Sequence, residues 1–541
     1  MRLRLVLGWM LLSALCLLRA QTIRERETFG GLSSLKAISD ALPASKYLQE
    51  HVVDGKLRLS LHDAIVAMLT NNSDVQIQEL SVEDSKYNLL RAHAPFDPSA
   101  LASFNALRSF SQTFSQLQGA PTLTSLNQFS QLTYTQAFET GTSVRVDFNA
   151  TRLTSNNGFF FFNPSIDTNF TVQVTQPLLR NRWLFANRAP LVIARRNLRA
   201  TKATFEGQVS NAILRLVSQY WNVVQAHGNF EVSRKSQDAA AASYKRDKRA
   251  LELGALPPLD IYRSESQVAT RRVQTIQTEY QLKQAEDALR FTLGAETDPV
   301  LRALDLELTE LPARDALLNI DSATALQQAL EGRPELEAMR QALANDDTSI
   351  RLAHNNLLPD LKLSGTYSSN GLGGNQFDAN NQLISRGGLG DSLSQLFGFG
   401  FPSYGFSLTL NLPLKNRGAQ ADLGTFLVSR RHDLFAERRL REQIVLEVTN
   451  AIHQLEQAKL SVAASQVALE LSKKNLAAEQ RKIELGEKTS FFVLDAQTQV
   501  AQEESNLLQA EANYEIAVAA VQYATGKLLE PYQIQIKELT R

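Results

Sequence analysis

Glu252-Leu253-Gly254-Ala255 closes one long helix-patterned stretch, and Glu484-Leu485-Gly486-Glu487 closes another. Gly254 and Gly486 stand 232 positions apart, and so do Val268 and Val500, and Gly294 and Gly526. A block of about forty residues therefore recurs without an insertion, the mark of an internal duplication. Upstream the copies also correspond, with other offsets. Ala64, Ala92 and Pro98 match Ala325, Ala353 and Pro359 at a spacing of 261, while Pro177-Leu178 matches Pro413-Leu414 at 236. The length difference falls between the two prolines of each copy. Each copy reads as short helix, helix, proline-bounded extended region, long helix, glycine turn and helix.

No Pro/Gly/Ser linker divides the 541 residues into independently patterned cores, so one elongated architecture is expected. Lys+Arg and Asp+Glu are 56 each, which gives no global pull toward nucleic acid or an acidic substrate. Met1-Arg2-Leu3-Arg4 followed by a largely apolar stretch over 5–18 and Leu18-Arg19-Ala20 reads as a secretory signal over residues 1–20. An N-terminal membrane anchor is the other reading, although the stretch is shorter than the roughly 20 residues a spanning helix needs. Cys16 is the single cysteine, so the exported chain has no disulfide and no thiolate ligand. Lipid attachment at Cys16 stays open as an alternative, with Leu15 where such a site prefers a small residue. Beyond the leader no run of 18 apolar residues occurs, so any membrane crossing is made by strands.

Over 404–413, Tyr404, Phe406, Leu408, Leu410 and Leu412 alternate with Gly405, Ser407, Thr409 and Asn411, a period of two. The same alternation runs through Phe170, Val172 and Val174, and through Val144, Val146 and Phe148, and Leu361 and Leu363 open a fourth segment. A half-buried soluble sheet alternates equally well. Charge separates the two: from Pro98 to Pro177 only 6 of 80 residues are charged, against 21% overall, as a lipid-facing surface requires. The glycine- and asparagine-rich segments 155–164 and 370–398 read as extracellular loops. Phe159 to Phe162 read either as part of an aromatic girdle or as a loop contact. Four strands per chain are expected, with Glu139-Thr140-Gly141-Thr142 as the turn of a further hairpin if there is one. Four strands cannot close a barrel, so the chain is expected to oligomerise, and three copies would share about twelve.

From 186 to 252, Phe205, Val209, Ile213, Leu216, Tyr220 and Val223 recur by threes and fours. A helix of this length reaches on the order of 100 Å. Leu440, Ile444, Val448, Ile452 and Leu455 repeat the stripe in the second copy. The helices after the glycine turns, 257–293 and 490–525, are too short to line the whole of their long partners. Those before the strands, 73–94 and 334–354, supply the missing length. Alanine runs suit close helix approach in a curved wall, and a coiled-coil stalk is the competing reading. Leu253 and Leu485 are left as apolar knobs at the tips, for docking or as the hydrophobic contact of a helix cap.

These residues resemble the TolC-like outer-membrane efflux protein family from about Leu57 to Leu528. The resemblance is carried by Leu61-His62-Asp63-Ala64-Ile65 leading to Asn71-Asn72, Arg333-Pro334-Glu335-Leu336, Gln176-Pro177-Leu178-Leu179-Arg180, and the paired Leu-Gly tips followed by Val493-Leu494-Asp495-Ala496-Gln497. It implies a mainly α fold with a transmembrane β-barrel, formed by a trimer with a long helical tunnel and an outer-membrane address. In this plan residues 21–56 are an N-terminal extension, 57–97 and 321–358 helices, and 98–177 and 359–413 barrel strands bounded by Pro98, Pro177, Pro359 and Pro413. Residues 178–293 and 414–526 are helical hairpins with tips at 253–259 and 485–490, and 294–320 and 527–541 form an equatorial belt. The implied partners are a periplasmic adaptor (membrane fusion protein), an inner-membrane transporter and outer-membrane lipid. The adaptor would meet Leu253, Gly254, Leu485 and Gly486, and Asp260, Lys488 and Asp495 would gate the periplasmic mouth. Phe492 stands where some members place a second acidic residue, which puts a double acidic ring in doubt.

Seven scattered histidines without ligand spacing, and no phosphate loop or nucleophile motif, leave no metal site, no cofactor and no enzyme to propose. Lys245-Arg246 and Lys248-Arg249 read as a solvated helix face before they read as a docking patch. Only Met68 and Met339 follow the leader, which disfavours copper export. The expected function is the passive exit duct of a tripartite efflux or secretion system. A trimeric stalk or adhesin is the alternative.

Overall fold

The computed structural model describes residues 46–114, 119–254, 260–296, 298–310, 312, 320–485 and 490–534. The leader, with Cys16, lies outside the described residues.

Helix formation begins with well-capped short elements. α1 (Lys46–Glu50), β1 (Val52–Val53) and β2 (Lys56–Leu59) lead into α2 (Leu61–Asn71), where Ser60 and Asp63 cap each other reciprocally. α3 (Ser73–Arg91) starts at Asn72, whose side chain accepts from the Asp74 and Val75 amides. Four long strands follow, β3 (Ser99–Gln112), β4 (Thr122–Ala137), β5 (Ser143–Ser155) and β6 (Phe162–Pro177). α4 (Trp183–Glu252) then runs 70 residues and α5 (Asp260–Leu293) returns. α6 (Pro299–Arg302) and β7 (Asp305–Leu308) join the copies. The second copy comprises α7 (Ser322–Gly332), α8 (Pro334–Asn356), β8 (Asp360–Phe377), β9 (Leu383–Ser385), α9 (Leu389–Phe397), β10 (Phe401–Asn411), α10 (Arg417–Glu484) and α11 (Ser490–Ala524). α2 and α7 are both 11 residues long and start at the spacing read from the sequence.

The short helices stack end to end along their long partners: α3 and α5 pack on α4, and α8 and α11 on α10. α4 also touches α8 and α11, so the two copies lie side by side. The junctions explain the stacking. Asn72 Nδ2 donates to the Thr292 carbonyl at 2.8 Å, satisfying the C-terminus of α5 from the start of α3. Arg333 Nη1 reaches the Tyr523 and Ala524 carbonyls at 3.5 and 3.4 Å, doing the same for α11 from the start of α8. Gly294 (φ +70°) makes the first junction tight, since a Cβ there would stand 2.6 Å from the Asn71 carbonyl oxygen.

The helical stripe is the core. Phe205, Val209, Ile213, Leu216, Tyr220 and Val223 are all buried, packed with Leu57, Leu59, Ile65, Leu289 and Leu293. Ile444, Val448 and Leu455 are buried with Ala510, Tyr514 and Val521 in a second cluster. Around the first cluster β2 pairs antiparallel with β1 and parallel with β7, a three-stranded belt to which the N-terminal segment contributes as well as the linker.

The large sheet has the order β10-β8-β6-β5-β4-β3, antiparallel throughout, with β9 paired to β8. The four strands read from alternation are present as β5, β6, β8 and β10. Two more precede them, so among the described residues the long strands number six and not four. Glu139–Thr142 is the turn that joins the added hairpin, β3 and β4, to β5, closed by the Phe138 amide donating to the Thr142 carbonyl at 2.8 Å. The hairpin was hidden because β3 does not alternate: Leu101 and Leu107 share one face, and Phe104 and Phe110 the other. Segment 370–398, expected as a loop, instead holds the end of β8, β9 and α9. Among the described residues no helix is long and apolar enough to cross a membrane.

Candidate functional site

The register sorts the sheet's side chains. Gly405, Thr366, Gln173, Arg145, Thr135 and Ser99 lie in one continuous row of paired residues across all six strands. Residues in phase with this row include Asp147, Asn149, Thr171, Asn169, Ser368, Asn370, Ser403 and Ser407, a polar face. Those out of phase include Val144, Val146, Phe148, Phe170, Val172, Tyr367, Tyr404, Phe406, Leu408 and Leu410, an apolar face. On the polar face Arg145 grips Asp147 with two bonds of 2.7 and 3.0 Å, and Thr133 donates to the same carboxylate at 2.6 Å. A cavity of about 430 Å³ opens on this face at the helical end of the sheet, lined by Asp97, Thr135, Arg145, Gln173 and Thr175 among others. A wall with one polar and one apolar side is what separates water from lipid.

The boundary prolines stand at the strand ends: Pro98 and Pro359 immediately precede β3 and β8, Pro177 ends β6, and Pro413 follows β10 by two residues. Pro lacks the N–H that a continuing ladder would use, and each marks the passage from sheet to helix.

The tips lie at the far end of α4 and α10. Gly254 adopts φ +74° and donates its amide to the Leu251 carbonyl at 2.9 Å, ending α4. Leu253 and Leu485 are exposed, at 79% and 62%. Gly486 and Lys488 lie outside the described residues, as does the side chain of Asp260, the first residue of α5. Asp495 is exposed on α11 between buried Leu494 and Ala496.

What the structure brings together near the tips is a contact that the sequence reading missed. Gln267 Nε2 donates to Thr498 Oγ1 at 3.4 Å, and Arg271 Nη2 bonds the same hydroxyl, joining α5 of one copy to α11 of the other. Burial holds the Arg271 guanidinium below its ordinary pKa. No spacing rule pairs residues 227 or more positions apart. Among the described residues no three of His, Cys, Asp and Glu gather as a metal site.

Comparison with known proteins follows the same division into copies. The sequence matches the model of the outer membrane efflux protein family over residues 64–295 and 325–527. No curated protein matches it in sequence. Similar solved structures include CusC, whose structures concern folding and transmembrane channel formation (TM-score 0.61, 16% identity, 90% of this chain and 95% of that one). The CmeC outer membrane channel of Campylobacter jejuni is similar at TM-score 0.60 and 15% identity, covering 94% of each chain. The outer membrane protein VceC of Vibrio cholerae is similar at TM-score 0.60 and 13% identity, covering 90% of this chain and 99% of that one. At these identities the likeness is one of fold.

Proposed function

The chain belongs to the outer membrane efflux protein family, and we propose that three copies of it form the exit duct of a tripartite efflux or secretion system. It lies in the outer membrane, with a large helical part in the periplasm. The observation that carries the duct is the sheet itself: one polar face, one apolar face, and two open edges, set on helices that leave apolar stripes uncovered. On α10, Leu446, Leu460, Val467 and Leu471 are exposed, and on α5, Val273, Ile276 and Tyr280. Such seams fit neighbouring helices of further copies. In the assembled duct the polar face lines the lumen, transport is passive conduction, and energy comes from an inner-membrane transporter reached through a periplasmic adaptor. A stalk without transport has no use for a sheet sorted into two faces.

The first test is the mass of the detergent-extracted oligomer together with its behaviour in a planar bilayer. A trimer giving discrete, cation-preferring channels is expected. A trimer that conducts neither as the parent nor as Asp495→Ala would overturn the duct in favour of the stalk.

Adaptor docking is assigned to the tips, Leu253 and Gly254 with Leu485 and Gly486, because apolar side chains end two long hairpins there. Leu253→Asp combined with Leu485→Asp should abolish export in cells and leave the trimer assembled, as read by native mass. Normal export by that double variant would remove the tips from the docking site.

A further inference from the structure

We infer that β3 of one copy pairs with β10 of the next, so that every copy contributes six strands to the shared barrel. With the trimer proposed above, on which this rests, closure then takes eighteen strands and not twelve.

Both strands are edges in the single chain: every residue of β10 is exposed, and every residue of β3 except half-buried Ser103. Neither edge is guarded. β10 contains no charged residue, β3 contains only Arg108, and the one edge proline, Pro402, sits at the outer end of β10. Unguarded edges invite pairing in water and are not tolerated in lipid, where each unpaired backbone group costs several kcal/mol.

Direction and facing both suit a second copy of this chain. β3 leaves the helical end of the sheet after α3, and β10 returns to it before α10, so the two run antiparallel when copies are set side by side. Odd-numbered residues of both strands lie on the polar face, Ser103, Asn105 and Ser109 on β3 and Ser403, Ser407 and Thr409 on β10. Pairing the strands continues each face, with Leu101 and Leu107 as apolar members of the polar one and Arg108 as a charged member of the apolar one.

The stagger points the same way. From the row that joins Gly405 to Ser99, β10 runs mostly toward the helices, as far as Asn411, whereas β3 lies wholly on the outer side, ending at Gln112. The strands between shift progressively from one position to the other. A sheet that closes into a barrel needs this cumulative offset, because its strands tilt against the axis. The offset brings the middle of β3 level with the middle of the next β10. Closure with twelve strands would have to strip β4 from β5, giving up the register from Ser125↔Ser155 to Ala137↔Ser143.

Cysteine cross-linking tests the seam, since Cys16 is the only native cysteine and the parent chain serves as control. Ser407→Cys is combined in turn with Ser103→Cys, Asn105→Cys and Leu107→Cys, and isolated outer membranes are oxidised and run unreduced after heat denaturation. At least one pair should move most of the monomer into dimers and trimers that reductant reverses. Monomer from all three pairs, or a ladder from Asn149→Cys with Ser407→Cys, would overturn the seam. The native mass of the parent separates the two levels: an oligomer other than a trimer refutes the duct stoichiometry, whereas a trimer without the cross-link refutes the seam alone. If the variants fail to assemble, strands are counted in a density map of the parent trimer in lipid nanodiscs. Eighteen supports the inference and twelve refutes it.

Discussion

Asn72 and Arg333 occupy corresponding positions of the two copies and perform one task with different chemistry. Each starts a helix and satisfies the last carbonyls of another, Asn72 with a neutral amide and Arg333 with a buried guanidinium. Burial works against the Arg333 charge, and the carboxylates of Glu335 and Glu447 outweigh it, holding its pKa above the ordinary range. The Arg-Pro-Glu-Leu motif was visible in the sequence, but its role was not, because its partner carbonyls lie 190 and 191 positions away. The same distance hid the Arg271 and Thr498 contact. Asp495 is the reverse case, legible from the motif and left exposed by the fold. If it faces the pore in three copies, Asp495→Ala lowers the cation preference of single channels by about twofold or more, roughly what one charge some 10 Å from an ion contributes in water. Unchanged selectivity and conductance in the bilayer would remove Asp495 from the gate.

At the scale of elements, α9 is the clearest departure from the sequence reading. It lies on the apolar face of β8 and β6, and its underside is polar. Thr168 and Ser392 hydroxyls meet at 2.7 Å, Ser392 donates to the Gly371 carbonyl at 2.9 Å, and Ser369 donates to the Leu396 carbonyl at 2.8 Å. Gly371 makes room, since a Cβ there would stand 2.0 Å from the Ser392 carbonyl oxygen. Leu389, Leu393, Leu396 and Phe397 do stand at helical spacing, but over nine residues among glycines and asparagines that pattern was outweighed by the loop-like composition of the segment. The long helices and the clean strands β5, β6, β8 and β10 were legible because their patterns span many residues. Gly371→Ala should push α9 off the sheet at a cost of about 1–3 kcal/mol. Faster tryptic cleavage after Arg386, just before α9, would report it, together with a lower melting temperature of the oligomer. Gly365→Ala, with nothing within 4 Å, is the matched control; equal behaviour of the two variants would refute the anchoring role.

At the scale of the molecule, the equatorial belt ties distant parts of the chain around one tyrosine. β2 pairs with β7, Arg58 meets Glu307 at 3.2 Å, and Tyr220 donates to the Leu59 carbonyl at 3.2 Å while accepting from the Glu310 amide at 3.3 Å. Tyr532, near the C-terminal end of the described chain, packs against the same core. The linker and C-terminal parts of this belt were an expectation from the family resemblance, which did not include the N-terminal strand that finds its partner 249 positions away. Desolvation raises Tyr220 and Tyr532 from 10.0 to about 12, because ionising either would bury an anion. Below pH 10 both tyrosines are neutral folded and unfolded, and the belt keeps its full stability. Between pH 10 and about 12 the unfolded chain releases protons that the folded chain retains, so stability falls by about 1.4 kcal/mol per pH unit for each tyrosine. Denaturation midpoints of the detergent-solubilised oligomer, followed by circular dichroism from pH 9 to 12, should therefore drop more steeply for the parent than for Tyr220→Phe combined with Tyr532→Phe. Lysine and arginine titration is common to both proteins and cancels in the difference. Parallel curves would mean that the belt opens before either tyrosine ionises, and β2 and Tyr532 would then be held near each other by the long helices alone.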